Sequence, residues 1–407
     1  MVVRKLIVEN PALLSAAPAL PAGFDNVVLP WYSERQKLPA HSVQDLAGRE
    51  EIANSLGVNV YCPRQAVESY EQFICQEARL FQELLPNESI THTLWLRGDP
   101  VRQFSPEAIT ALIYRLNKQF PLDDSADTVR GIELRPSALT DERLALLSGL
   151  GFNRINLIID ASIASDDRSL SKLDMAFAHL ANFGQIGVEC RILFSSDSHP
   201  AFLSRLLRDL IQSGCDLIHL AQTDDRKPQT LAQRSASANL LLQALTELSE
   251  QNWLALGNDR FIPKHHKLYE ASQRDALQLS PWGFQQERQQ QWLGLGIAAM
   301  GRLHNTYYRT DAAAKNYIEA ISNRSLPPKT IFRRPPGCTS TFVALQHLLS
   351  QHRVNSADFQ NLAEATGLLD TPWLVKAGDD YCLTPEGIKN LYAIHILLFT
   401  LSNKREL

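Results

Sequence analysis

The chain has 407 residues, 44% hydrophobic and 21% charged, which is the profile of an ordinary globular protein with a large buried core and room for two or three domains. A net charge of -4 at pH 7 excludes a globally basic surface for nucleic acid or anionic membranes. No apolar run approaches the roughly 20 residues of a membrane span, and Met1-Val2-Val3-Arg4-Lys5-Leu6 lacks the apolar region of a signal peptide, so a cytoplasmic location is expected.

Residues 1–50, rich in alanine, proline and polar residues, are predicted to form an arm lying on the core. From residue 51 a regular alternation begins. Strands are predicted at Val58–Cys62, Thr93–Arg97, Ile132–Leu134, Ile155–Ile159, Val188–Phe194, Leu217–Ala221 and Trp253–Leu256. Helical patterns lie between them at 66–84, 106–119, 139–149, 168–183, 201–213 and 231–250. Strict succession implies a parallel sheet with right-handed crossovers. Six or seven such units suit an incomplete (β/α) barrel over residues 51–280, with its chemistry at the C-terminal strand ends.

The clearest unit runs from Arg130 to Asp160. Pro136 ends a short strand that carries Glu133 near its C-terminal end. Thr140 followed by Asp141 and Glu142 is a helix start, and Gly151 is a suitable left-handed stop. Ile155-Asn156-Leu157-Ile158-Ile159 then reads as a strand covered on both faces. After residue 281 the rhythm changes. Residues 281–337 are read as a post-barrel segment ending in a linker, Leu326 to Gly337. Residues 338–407 are read as a small, mostly helical, winged-helix-like domain, with a hairpin over Trp373–Thr384 and a last helix from Pro385. From 333 onward seven basic residues face seven acidic ones, which argues against nucleic acid as a partner.

The six cysteines, Cys62, Cys75, Cys190, Cys215, Cys338 and Cys382, are never within ten positions of each other, so no Cys-x-x-Cys or Cys-x-x-x-Cys-x-x-Cys is present. Gly294-Leu295-Gly296 lacks the third glycine of a dinucleotide fingerprint. His265-His266 is read as a solvated loop, because neighbours on a strand point to opposite sides and do not share a metal.

Glu133-x-x-Pro136, the helix with Leu144-x-x-Leu147, and Gly151-Phe152-Asn153-Arg154-Ile155 together resemble the central signature of the oxygen-independent coproporphyrinogen III oxidases, which are radical S-adenosylmethionine (SAM) enzymes. Leu293-Gly294-Leu295-Gly296, Tyr307-Tyr308, Tyr317 with Leu326-Pro327, and Thr384-Pro385-Glu386-Gly387 extend the resemblance over residues 57–402. It implies three cluster cysteines in a loop after the first strand, where this chain reads Tyr61-Cys62-Pro63-Arg64-Gln65. A [4Fe-4S] cluster needs several convergent thiolates, so both cluster and SAM are expected to be absent. The family's Gly-Gly-Gly-Thr-Pro turn is replaced by Leu96-Arg97-Gly98-Asp99-Pro100, its Gly-Val-Gln after Arg154 by Ile158-Ile159-Asp160, and its aspartate on the next strand by Arg191.

The resemblance and its gaps imply a cluster-less, non-catalytic paralogue that binds a tetrapyrrole (haem or porphyrin) or a haem-pathway protein such as a catalytic relative. Ligand contacts are expected at Cys62, Arg64, Arg97, Gly98, Glu133, Arg154, Arg191 and His304, with Cys62 holding haem iron. The bland alternatives are a buried inert thiol at Cys62, a structural histidine at 304, and a Glu133 paired with a nearby arginine. A second reading is a tetrapyrrole-pathway enzyme with relocated, non-radical chemistry on Glu133, Asp160 and Arg191, and a third is an interaction module.

Overall fold

The computed structural model describes residues 34–38 and 55–398, apart from residues 86–88, 126, 162–166, 182–185, 224–230, 258, 275, 281, 287–290, 304–305, 334–338, 392 and 396. Strand β1 (Glu34–Leu38) precedes the alternation β2 (Ser55–Cys62), α1 (Tyr70–Gln82), β3 (Ile90–Gly98), α2 (Pro106–Gln119), β4 (Val129–Leu134), α3 (Asp141–Gly149), β5 (Arg154–Asp160), α4 (Asp167–Ala181), β6 (Gly187–Phe194), α5 (Pro200–Gln212), β7 (Leu217–Gln222) and α6 (Leu231–Glu250). Then follow β8 (Trp253–Leu256), β9 (Arg260–Pro263), α7 (Lys267–Gln273), the hairpin β10 (Leu277–Ser280) and β11 (Gly283–Gln286), β12 (Gln291–Leu295), β13 (Met300–Leu303), β14 (Thr306–Thr310), α8 (Ala314–Ser322) and β15 (Lys329–Arg333). The chain closes with α9 (Thr339–Gln351), β16 (Arg353–Asn355), α10 (Ser356–Thr366), β17 (Leu374–Ala377), β18 (Asp380–Leu383) and α11 (Pro385–Lys389).

The helix starts follow local chemistry. Ser105 caps α2 by accepting from Ala108 N at 3.2 Å, with Pro106 at the first helical position. Thr140 caps α3, with Asp141 and Glu142 in the first turn.

The main sheet has thirteen strands in the order β1-β15-β14-β13-β12-β2-β3-β4-β5-β6-β7-β9-β8. Its centre, β12 and β2 to β7, is parallel, and the flanks are antiparallel, so the sheet stays open. Two expectations are corrected. Trp253–Leu256 is an antiparallel edge strand, because its three-residue connection to β9 is too short for a crossover and β9 takes the place beside β7. On the side away from β3, the parallel neighbour of β2 is β12, from the glycine-rich segment. The supposed linker Leu326–Gly337 contains β15, which pairs with both β14 and β1. Of residues 1–50 only β1 is described.

Strand alternation divides the sheet chemically. Val58, Val60 and Cys62, Leu94 and Leu96, Ile132 and Leu134, Ile155 and Leu157, and Cys190 and Ile192 share one apolar core with the helices. The intervening residues form the other, concave face. A second apolar cluster joins the β10–β11 hairpin to α9, α10 and the three-stranded sheet β16-β18-β17. Among the described residues no helix is long and apolar enough to cross a membrane.

One buried ion pair ties the helix layer to the antiparallel flank. Lys329 Nζ of β15 lies 3.3 Å from Glu77 Oε1 of α1, both side chains being fully buried. Gly296 N and the Tyr317 hydroxyl donate to Glu77 Oε2 at 2.7 and 2.9 Å, and Lys329 also donates to Thr310 Oγ1. Removing one partner strands the other charge in a dry interior. Lys329→Ala is therefore expected to lower unfolding free energy by about 3–5 kcal/mol in denaturant titrations; a loss below about 1 kcal/mol, the scale of exposed pairs, would show that water relieves the site.

Candidate functional site

The concave face is built around Arg97. The residue leaves β3 on the opposite side from Leu96, and its Nε donates to Asn59 Oδ1 at 2.8 Å while Nη1 donates to Glu133 Oε1 at 3.0 Å. Gly98 N donates to the second carboxylate oxygen, Glu133 Oε2, at 2.7 Å. Gly98 has φ of +88°, and a side chain there would strike the Cys62 carbonyl, so glycine is what lets the β3 turn close over β2. The Arg97 guanidinium lies 4.5 Å from the Trp95 ring centre and 6.0 Å from that of Trp282, which comes from the β10–β11 turn. Trp282 packs on Trp292 at 4.7 Å. Trp95 and Trp292 lie over Gly131 and Gly57, where a Cβ would meet their rings. The site's floor is thus aromatic and its centre is a satisfied ion pair.

Toward the C-terminal strand ends stands a row of polar groups, Arg191 of β6 beside His219 of β7 beside Arg260 of β9. Arg260 Nη1 pairs with Asp259 Oδ1 at 3.2 Å, and His219 Nε2 lies 3.5 Å from Asp259 Oδ2. Burial, then Arg260, hold the His219 imidazole down to about 3. Burial likewise pushes the Glu189 carboxyl up, against the pull of Arg154 and Arg97. Tyr61 is 40% exposed; its phenol is pushed up by burial and by Glu133 and pulled back by Arg191 and Arg64, which places both cations near it.

The structure brings together only part of the expected set. Glu133, Asp160, Arg191, Arg97 and Gly98 do share the concave side, Asp160 two residues beyond Ile158 on β5. Arg64 is exposed next to Tyr61. Two residues lie elsewhere than expected. Cys62 is not at an open rim: it is 1% exposed, faces the helix layer by strand alternation, and has a thiol pushed well up by burial, then by Glu133 and Asp99. It is a buried thiol whose side chain packs into the helix layer. Arg154 is the first residue of β5, at the opposite end of the sheet, where it pairs with Asp216 at 2.8 Å. Arg97 and Gly98 are engaged with Glu133 and offer no free donor along those bonds. His304 lies outside the described residues. His266 caps α7, accepting from Leu268 N at 3.1 Å, near Arg154 and Asp216.

Trp95, Trp282, Trp292, Glu189, His219, Asp259 and Arg260 were missed from sequence. The available signal was spacing: Trp95-x-Arg97, Gly131-x-Glu133 and Glu189-x-Arg191 each repeat at period two along β3, β4 and β6.

No family model matches the chain. It is 20% identical over 374 residues to the oxygen-independent coproporphyrinogen III oxidase of a Synechocystis species, covering 81% of this chain and 78% of that protein. The protein of the same name from Pseudomonas aeruginosa is 21% identical over 273 residues, covering 62% of this chain and 59% of its own. In structure the chain is similar to the coproporphyrinogen III oxidase HemN of Escherichia coli, a radical SAM enzyme. The TM-score is 0.75 at 15% identity, and 96% of this chain and 98% of that one are covered.

His219 gives the site a pH signature. Neutral in the folded state down to about 3, it titrates near 6.5 when unfolded. Between those values the unfolded chain binds the extra proton, so stability falls as pH falls. His266 and His395, both held to about 4 by burial, act in the same direction, whereas the raised Glu77 and Glu189 oppose it. His219→Gln isolates the effect: from pH 6.5 to 4 the wild type should lose more stability in urea than the variant, by about 1.4 kcal/mol per pH unit. Parallel profiles would mean that His219 is protonated in place.

Proposed function

We propose that this chain, HemN-like in sequence and in fold, is a non-radical member of that group which binds a tetrapyrrole, haem or free porphyrin, at the C-terminal end of its open sheet without transforming it. The observation that carries this reading is the closed centre, in which Arg97 spans Asn59 and Glu133 while Gly98 N takes the remaining carboxylate oxygen. The residues present do not fit the cluster and SAM that the family implies. Cluster iron takes thiolates, yet residues 63–69 after β2 contain no cysteine, and Cys62 is buried against the helices with a raised thiol. Glu133, the one kept residue of the implied SAM pocket, is already satisfied from within the chain.

Support for a tetrapyrrole comes from two sides. The relatives are named for coproporphyrinogen oxidation, and the exposed aromatic ring of Tyr61 stands beside the cations Arg191 and Arg64. A flat macrocycle with propionates needs both, apolar ring contact and guanidinium forks for carboxylates. A haem-pathway protein, such as a catalytic relative, is then the natural recipient or donor of the ligand. The alternative of relocated chemistry on Glu133, Asp160 and Arg191 has those residues on one face, but a glutamate held by Arg97 and a backbone N–H is poorly placed to accept a proton.

Purified protein is expected to bind ferric haem and metal-free porphyrin saturably, with Soret spectra that Cys62→Ser leaves unchanged. Anaerobic reconstitution with iron and sulfide is expected to yield no cluster. A full cluster complement bound per chain would overturn the non-radical assignment, and the lack of saturable binding of either tetrapyrrole would remove the ligand assignment.

A further inference from the structure

The concave face holds a cation that no group of the described chain answers. Arg191 sits on β6 between Ile158 of β5 and His219 of β7. Its Nε is buried without a hydrogen-bond partner, and the side chain makes no ion pair among the described residues. Its neighbours are committed elsewhere, Arg97 to Glu133 and Arg260 to Asp259. Glu189, two residues earlier on the same face, is pushed toward its neutral form by burial. Asp160 stands two register positions nearer the rim, opposite Leu193. The charge of Arg191 is felt at Tyr61, Arg97, His219 and Arg260, which places it among these groups.

We propose that Arg191 is a carboxylate-binding residue, its planar fork taking one carboxylate of the ligand between Tyr61 and His219. A buried donor without an acceptor is destabilising, and a bound anion removes that penalty. One uncompensated guanidinium matches one negative charge, and its fork matches the geometry of a carboxylate. A dianion such as phosphate would bring a second charge that the paired Arg260 and neutral His219 do not offset. The identity of the ligand's body rests on the tetrapyrrole reading above; the preference for a carboxylate rests on Arg191 alone.

The test titrates wild type, Arg191→Gln and Arg191→Lys with a porphyrin bearing free propionates and with its neutral amide. The acid should bind wild type about 10- to 100-fold more tightly than Arg191→Gln, the amide should bind both alike, and Arg191→Lys should fall between because it keeps charge but not the fork. Where Arg191→Gln fails to fold, the lysine variant carries the same comparison. Equal losses for acid and amide, or no loss for either, would overturn the carboxylate assignment and leave the tetrapyrrole reading standing. If neither porphyrin binds, that reading falls and glutarate decides the site: dose-dependent thermal stabilisation of wild type that is missing in Arg191→Gln supports it, and no stabilisation overturns it.

Discussion

The Arg97–Glu133 bond is the constraint on which the concave face depends. Both side chains are largely withdrawn from water, at 12% and 7% exposure. A pair so placed offsets its desolvation only if the remaining hydrogen-bonding capacity is also used. Here it is: Asn59 accepts from Nε, Gly98 N donates to the free carboxylate oxygen, and the Trp95 face receives the guanidinium. The result links β2, β3 and β4 across the middle of the sheet. It also sets the boundary between an aromatic floor and a polar rim.

Much of the architecture was legible because periodicity carries it. Helices over 106–119 and 231–250 appear with the expected bounds, and six of the seven predicted strands are members of the parallel centre. What was lost is what periodicity does not encode. Trp253–Leu256 has the composition of a core strand, but pairing direction is decided by connection length, here a tight turn to β9. Pro327, Pro328, Pro335 and Pro336 made the segment around β15 look like a linker, yet prolines flanking a strand do not prevent the residues between them from pairing on both sides.

The site was less legible, for one physical reason. Position at a strand's end is visible in sequence, whereas the face is fixed by parity, and a one-residue difference reverses it. Cys62 ends β2 as expected and points into the helix layer, while Tyr61, one residue earlier, is the group that faces the rim. Arg154 fails for a related reason, since it begins its strand and so belongs to the other end of the sheet. Glu133, Asp160 and Arg191 were placed on a common face because each stands in a strand whose apolar neighbours fixed the parity.

The same parity sets Glu133 beside Arg97 on one face of the sheet. Arg97, where the resemblance implies a glycine, donates to the Glu133 carboxylate. The two residues are then coupled: without Arg97, Glu133 becomes a buried charge held by one backbone N–H, and without Glu133, Arg97 keeps Asn59 and an aromatic face but loses its counter-ion. Glu133 is thereby kept as a structural partner. Arg191 stands two strands further along the sheet, where the resemblance implies an aspartate.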